Sequence, residues 1–162
     1  MFAEKLGGIS MPLDRVKKFL SPYPDLKIIL FDQSTHTSEL AAQALGVMPA
    51  QIAKTLVFVA DTQPLLVVTC GDKKINTKKL NKILGARKVR FADGQTVTDS
   101  TGFPPGGVSP IGLAHDIPLY LDKSLWDFAI VYAAAGTANS ALPVSPDRLC
   151  EITGAQVIDV CC

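Results

Sequence analysis

The sequence predicts a mixed α+β fold: one partly closed sheet of mixed strand directions with helices packed outside it. Three observations predict this. Helical and extended patterns are interspersed without a regular alternation. Two short β-branched runs, 55–60 and 65–70, are close enough to form a hairpin, while other strand-like runs are separated by helices and need crossovers. A chain of 162 residues that is 48% hydrophobic and 19% charged can bury a core without disulfides or metals, which suits one domain over 1–162.

Residues 11–20 read as a first helix, with Ser10 as N-cap and Pro12 tolerated in the first turn. Residues 26–31 read as a strand. A helix over 38–45 is capped by Thr37 and stopped by Gly46, and 49–53 adds one more helical turn. The hairpin follows, turning at 61–64. Residues 77–84 form a helix ended by Gly85, with Leu80, Ile83 and Leu84 on its apolar side and Lys78 and Lys82 together on another. Next come a strand at 88–91, a short helix capped by Asp93 that ends near Ser100, and a Gly/Pro-rich loop over 101–112. Strands at 118–122, 128–133 and 140–144, a helix at 146–152 capped by Ser145, and a strand at 156–160 complete the chain.

Bulk properties exclude several classes. No apolar run is long enough to span a bilayer, and the first ten residues, with Glu4 among them, do not form a secretory signal. The expected location is the cytoplasm. Cys70, Cys150, Cys161 and Cys162 form no C-x-x-C pair, and His36 and His115 are far apart, so neither a disulfide framework nor a zinc site is expected. Walker, Rossmann and zinc-protease motifs are absent, so no cofactor is expected. Net charge is only +1, yet eight of the 16 Lys and Arg residues lie between Lys73 and Arg90 with no acidic residue among them. Lys73, Lys74, Lys78, Lys79 and Lys82 are the candidate polyanion-binding residues. A solvated helix face explains the same run equally well.

Four segments have the composition of a site. The strongest is Gly106-Gly107-Val108-Ser109-Pro110 within 102–112. Prolines stiffen this loop and glycines bare its backbone, so its amides can be aimed at a developing oxyanion. A tight surface loop is the plainer reading. Ser109 does not fit a nucleophile elbow, because the next residue, Pro110, has no N–H to donate. Lys54 is a lone charge in the apolar run 52–58, placed either to polarise a carbonyl or bind a phosphate, or simply to reach water. Gly136, Thr137 and Asn139 follow an apolar strand and form either a pocket wall or a hairpin turn. His36, before the 38–45 helix, is a candidate base or an exposed loop residue.

Taken in order, these segments resemble the YbaK and prolyl-tRNA synthetase editing-domain family. The resemblance runs through Thr35-His36-Thr37, the helix from Glu39 to Val47, Ile52-Ala53-Lys54-Thr55-Leu56-Val57-Phe58, the lysine-rich helix, Gly106-Gly107-Val108-Ser109-Pro110-Ile111-Gly112 and Gly136-Thr137-Ala138-Asn139. It covers roughly residues 26–160. The spacing of the K-T-L segment from G-G-V-S-P is its most specific part.

The resemblance implies a mixed, barrel-like sheet and a trans-editing aminoacyl-tRNA deacylase that hydrolyses the ester of a mischarged tRNA without metal or covalent protein nucleophile. A small amino acid on tRNA(Pro), such as cysteine, alanine or serine, is the implied substrate, with prolyl-tRNA synthetase a possible partner. Lys54, Gly106 and Gly107 take the catalytic roles. His36, Val108, Ser109, Pro110, Gly136, Thr137 and Asn139 shape the substrate pocket, and the lysine cluster holds the acceptor end of the aminoacyl-tRNA. Alanine-specific relatives carry a histidine in the second pocket loop. None occurs in 136–143, which sets alanine apart from the other candidates. A non-catalytic tRNA- or nucleotide-binding module is the alternative reading. A small hydrolase using Ser109 or Cys70 is a weaker third.

Overall fold

The computed structural model describes residues 11–32 and 37–162. Eight strands form one mixed sheet: β1 (Ile29–Leu30), β2 (Ile52–Ala60), β3 (Gln63–Cys70), β4 (Val89–Phe91), β5 (Leu119–Asp122), β6 (Val131–Ala133), β7 (Ser140–Val144) and β8 (Gln156–Ile158). Their order is β1-β7-β6-β2-β3-β5-β8, with β4 added beside β2. The contacts of β2 with β6, β3 with β5 and β5 with β8 are parallel, and the rest are antiparallel. Among the described residues five helices flank the sheet: α1 (Pro12–Phe19), α2 (Ser38–Leu45), α3 (Thr77–Leu84), α4 (Gly94–Thr101) and α5 (Pro146–Thr153).

Local chemistry sets the helix ends. Thr37, Asn76, Asp93 and Ser145 each accept a backbone N–H from the first turn of the helix they precede. Gly46 and Gly85 close α2 and α3 in the left-handed region, where a β-carbon is costly. At α1 the capping residue is Met11, with no side-chain bond, and Pro12 supplies the first turn. Ser10, the expected cap, lies outside the described residues.

Strand boundaries differ more from expectation. The first strand is only Ile29–Leu30, because β7 offers partners at just Ala141 and Ser140. β2 starts at Ile52, three residues early, because Ile52 and Ala53 pair with Tyr132 and Ala133 of β6. The helical turn before it is therefore confined to Pro49–Gln51. The hairpin turn narrows to Asp61 and Thr62. Asp61 adopts φ 57° and its carboxylate accepts the amides of Arg87 and Lys88 at 3.0–3.3 Å. The sixth strand is only Val131–Ala133, because β7 and β2 offer partners at those residues alone.

The core has two parts. Alternate residues of β3 serve both: Leu66, Val68 and Cys70 join the larger cluster, and Leu65 and Val67 join the smaller. The larger includes Val16 of α1, Val97 of α4, Leu149 and Ile152 of α5, and Phe103, Val108 and Ile111 of the loop. The smaller is closed by Leu80 of α3 over Phe58.

The pairing of β2 leaves part of one edge open. One of its edges pairs with β3 along its length. On the other edge β6 covers Ile52–Ala53 and β4 covers Phe58–Ala60. Among the described residues no strand covers the stretch from Lys54 to Leu56.

Candidate active site

A cavity of about 240 Å³ opens at that uncovered edge. Lys54, Thr55 and Leu56 form its floor. Thr37, Ser38 and Ala41 from the start of α2 form one wall, Pro105, Gly106 and Val108 a second, and Tyr132, Ala133 and Thr137 a third. Small side chains dominate, which leaves room for a compact group.

Four of the expected site residues, Lys54, Gly106, Val108 and Thr137, meet in this cavity. Lys54 is half-buried within β2, and its Nζ donates to the carbonyl of Gly71 at 3.4 Å. That contact depends on Gly71 itself. A β-carbon there would collide with the carbonyl of Pro49 and the side chain of Ser38. No acidic residue lines the cavity among the described residues, so the ammonium supplies its charge.

The other expected residues support the cavity from behind. Gly107 donates its N–H to Pro104 O at 2.9 Å, so this amide is committed to the turn. The amides of Gly106 and Val108 have no partner among the described residues. The bulk of Gly107 is equally constrained, because a β-carbon would sit 2.7 Å from the backbone carbon of Thr137. Ser109 is fully buried and its Oγ accepts the N–H of Ile111 at 3.2 Å, which is the work of a turn residue. Pro110 is buried and faces a groove on the far side of the loop. Gly136, at φ 99°, packs against Phe103 and the backbone of Pro12. Asn139 joins its loop to the chain after β1: its Nδ2 donates to Phe31 O at 3.3 Å and its carbonyl accepts Phe31 N–H at 2.8 Å. Thr137 Oγ1 donates within its own loop, near Asn139 Oδ1 and Ser140 Oγ, both at 2.8 Å. His36 lies outside the described residues. His115 is exposed on the far groove.

The two ends of the glycine-rich loop are fastened by α1. Arg15 Nε donates to Gly112 O at 3.0 Å, its second arm donates to Gly102 O, and the guanidinium lies 4.9 Å from the ring centre of Phe103.

Sequence reasoning missed Thr55, Ser38 and Tyr132. Thr55 matters most, because its Oγ1 is buried and has no hydrogen-bond partner among the described residues. In the sequence it is one β-branched residue in a strand of such residues, which carries no signal. Gly71 was detectable in principle as a glycine ending a buried apolar strand.

The lysine cluster lies outside the cavity. Lys73 and Lys74 follow Gly71 and Asp72, and Lys78, Lys79 and Lys82 are exposed on α3. Lys79 Nζ donates to Cys161 O at 3.0 Å. Lys73, Lys79 and Lys123 share a second cleft with Asp122, Asp127 and Asp159.

No cysteine lines the cavity among the described residues. Burial pushes the Cys70 thiol up, against a smaller opposing effect of its hydrogen bond with Ser124. Burial likewise pushes Cys161 up to about 11. Among the described residues no group of three His, Cys, Asp or Glu side chains is placed to hold a metal ion, and no helix is long and apolar enough to cross a membrane.

Comparison with known proteins agrees with this arrangement. Residues 32–152 match the model of a family described as the aminoacyl-tRNA editing domain. The uncharacterised protein YwhH of Bacillus subtilis (strain 168) is 43% identical over 133 residues, which are 81% of this chain and 84% of that one. EbsC of Enterococcus faecalis (strain ATCC 700802 / V583), by name a candidate Cys-tRNA(Pro)/Cys-tRNA(Cys) deacylase, is 27% identical over 146 residues, 90% of this chain and 88% of that one. The crystal structure of a candidate trans-editing enzyme for prolyl-tRNA synthetase superposes with a TM-score of 0.87 at 35% identity, covering 94% of this chain and 98% of that one.

Proposed function

This chain belongs to the family of aminoacyl-tRNA editing domains, and from that premise we propose that it is a metal-independent deacylase. It removes a small, wrongly attached amino acid from the 3′ end of a tRNA. The observation that carries this reading is the meeting of Lys54, Gly106 and Val108 in one small cavity whose described lining includes no cysteine, histidine or carboxylate.

An aminoacyl ester is already activated, so the protein has to position it and stabilise the charge that develops on its carbonyl oxygen. In the proposed reaction the Lys54 ammonium faces that oxygen or the terminal phosphate, and the amides of Gly106 and Val108 supply further donors. The attacking group is water, the neighbouring ribose hydroxyl or, for cysteine, the substrate's own thiol. The buried turn role of Ser109 and the buried Cys70 thiol support leaving both out of the chemistry. In this reading the acceptor stem continues along the lysines of 73–82, and their contacts with phosphates carry no sequence information. Prolyl-tRNA synthetase, working in the cytoplasm, is the proposed source of the mischarged tRNA. Cysteine and serine are the preferred candidates, because no histidine stands in 136–143.

The test is deacylation of tRNA(Pro) charged separately with cysteine, serine, alanine and proline. The expected result is release of one noncognate amino acid. Lys54→Ala should lose about 10²-fold in rate, the size of a lost oxyanion donor. Binding of every tRNA with release of none would replace this reading by a binding module.

A further inference from the structure

Phe91 ends the edge strand β4 with 58% of its surface exposed. Its ring lies 4.5 Å from that of Phe58, centre to centre, at a 32° tilt. Phe58 is fully buried, so the core fixes the orientation of Phe91 while most of the ring faces solvent. A single exposed aromatic residue is ordinary on a protein surface. The position of this one is not.

Two paths bring it close to the cavity. Phe91 pairs with Phe58, two residues along β2 from Leu56, which lines the cavity; that is about 7 Å of strand. Beyond Phe91 the chain turns into α4, whose first residue, Gly94, lies beside Pro105 on the cavity rim: a β-carbon there would be 3.7 Å from Pro105 Cγ. The cations are on the same stretch. Arg87, Lys88 and Arg90 are exposed, and no acidic residue lies between Lys73 and Arg90. A flat ring held at a fixed tilt beside cations can take a nucleobase face without reading its identity.

We propose that Phe91 is a stacking platform for an unpaired base of the RNA strand whose 3′ end occupies the cavity. The proposal rests on the deacylase reading above and adds a binding residue to it. Phe91 sets the path of the strand into the cavity, and Lys88 and Arg90 attract its phosphates.

The experiment uses two RNA hairpins without amino acid, each labelled with a fluorophore at the 5′ end. One carries a few unpaired nucleotides at its 3′ end and the other is blunt. Fluorescence anisotropy gives the affinity of the full chain and of two variants. Phe91→Trp keeps a flat ring, while Phe91→Leu keeps apolar cover over Phe58 but removes it. Thermal melts confirm that both variants fold. The expected result is similar binding of the extended hairpin by wild type and Phe91→Trp, and roughly tenfold weaker binding by Phe91→Leu. The blunt hairpin should not distinguish the three.

Equal affinity of wild type and Phe91→Leu for the extended hairpin would overturn the proposal, as would an equal loss on both hairpins or no binding by wild type. So would a Phe91→Leu variant that sediments at a smaller mass than wild type, since the ring would then belong to an interface between copies. No hydrolysis is needed, so the two readings fail separately. A binding difference without deacylation would sink only the enzymatic reading, and deacylation without a binding difference would sink only the stacking.

Discussion

Gly107 lies so close to Thr137 that a β-carbon on the glycine would sit 2.7 Å from the threonine carbonyl carbon. The glycine-rich loop and the loop after β6 are thereby held against each other, and Val108 and Thr137 both line the cavity. Gly107→Ala should force the loops apart. A displacement of about 1 Å can cost about 10²-fold in rate, so kcat/KM for deacylation should fall on that scale while the variant still folds. A variant with wild-type kinetics would mean that the loop spacing does not set the reactive geometry.

Thr55 offers a test in which stability and activity move in opposite directions. Thr55 lines the cavity, and its Oγ1 is buried and unpartnered among the described residues. Thr55→Val keeps the shape and removes the hydroxyl, relieving a desolvation penalty of about 1–3 kcal/mol. The melting temperature should rise by a few degrees. If the hydroxyl is held unpaired for substrate, deacylation should fall about tenfold, the size of one hydrogen bond of roughly 1.4 kcal/mol, and Thr55→Ser should restore much of it. Unchanged kinetics in Thr55→Val would leave the hydroxyl without a role in binding.

Lys78 and Lys82 project from α3 with their side chains exposed. If each contacts a phosphate, Lys78→Ala and Lys82→Ala should each reduce the slope of log affinity against log salt by about 1. Filter binding of tRNA between low and physiological salt gives the slopes. Slopes equal to that of wild type would move the RNA off this helix.

Asp122 governs acid stability. Its side chain is buried; burial alone would raise its pKa, but hydrogen bonds from Ser124 and the Val160 amide outweigh that and hold it below the usual carboxylate value. A carboxyl depressed in the folded state stabilises the fold above its unfolded pKa of about 3.9, and that stability is lost as pH falls through the lower folded value. Wild type should therefore lose stability below about pH 4. Asp122→Asn should be less stable than wild type at pH 7, with the gap narrowing in acid. A gap that does not change with pH would mean that packing, not charge, accounts for the difference.

What the sequence revealed depended on how local the cause was. The caps at Thr37, Asp93 and Ser145 and the stops at Gly46 and Gly85 are local contacts, and they were legible. The start of β2 at Ile52 was not, because the partner that extends it, Tyr132, is 80 residues away in sequence. The same divide runs through the candidate site. Lys54 and Gly106 stand out by residue type. Ser109, Pro110 and Gly136 belong to the same motifs, yet they serve behind the cavity. Side-chain direction there depends on what packs behind the loop, including α1. Thr55 was invisible because its importance is a missing partner, and a sequence does not display what a side chain fails to touch.

Arg15 ties the ends of the glycine-rich loop together, and Pro12 backs the loop after β6 at Gly136. Both belong to α1, which lies outside the stretch 32–152 that the family model matches. The segment that identifies the protein is thus smaller than the one that keeps its cavity in shape. A fragment cut to the family boundary would retain Lys54, Gly106 and Val108 but lose the clasp that holds the loop in register, and its inactivity would say nothing about those three residues.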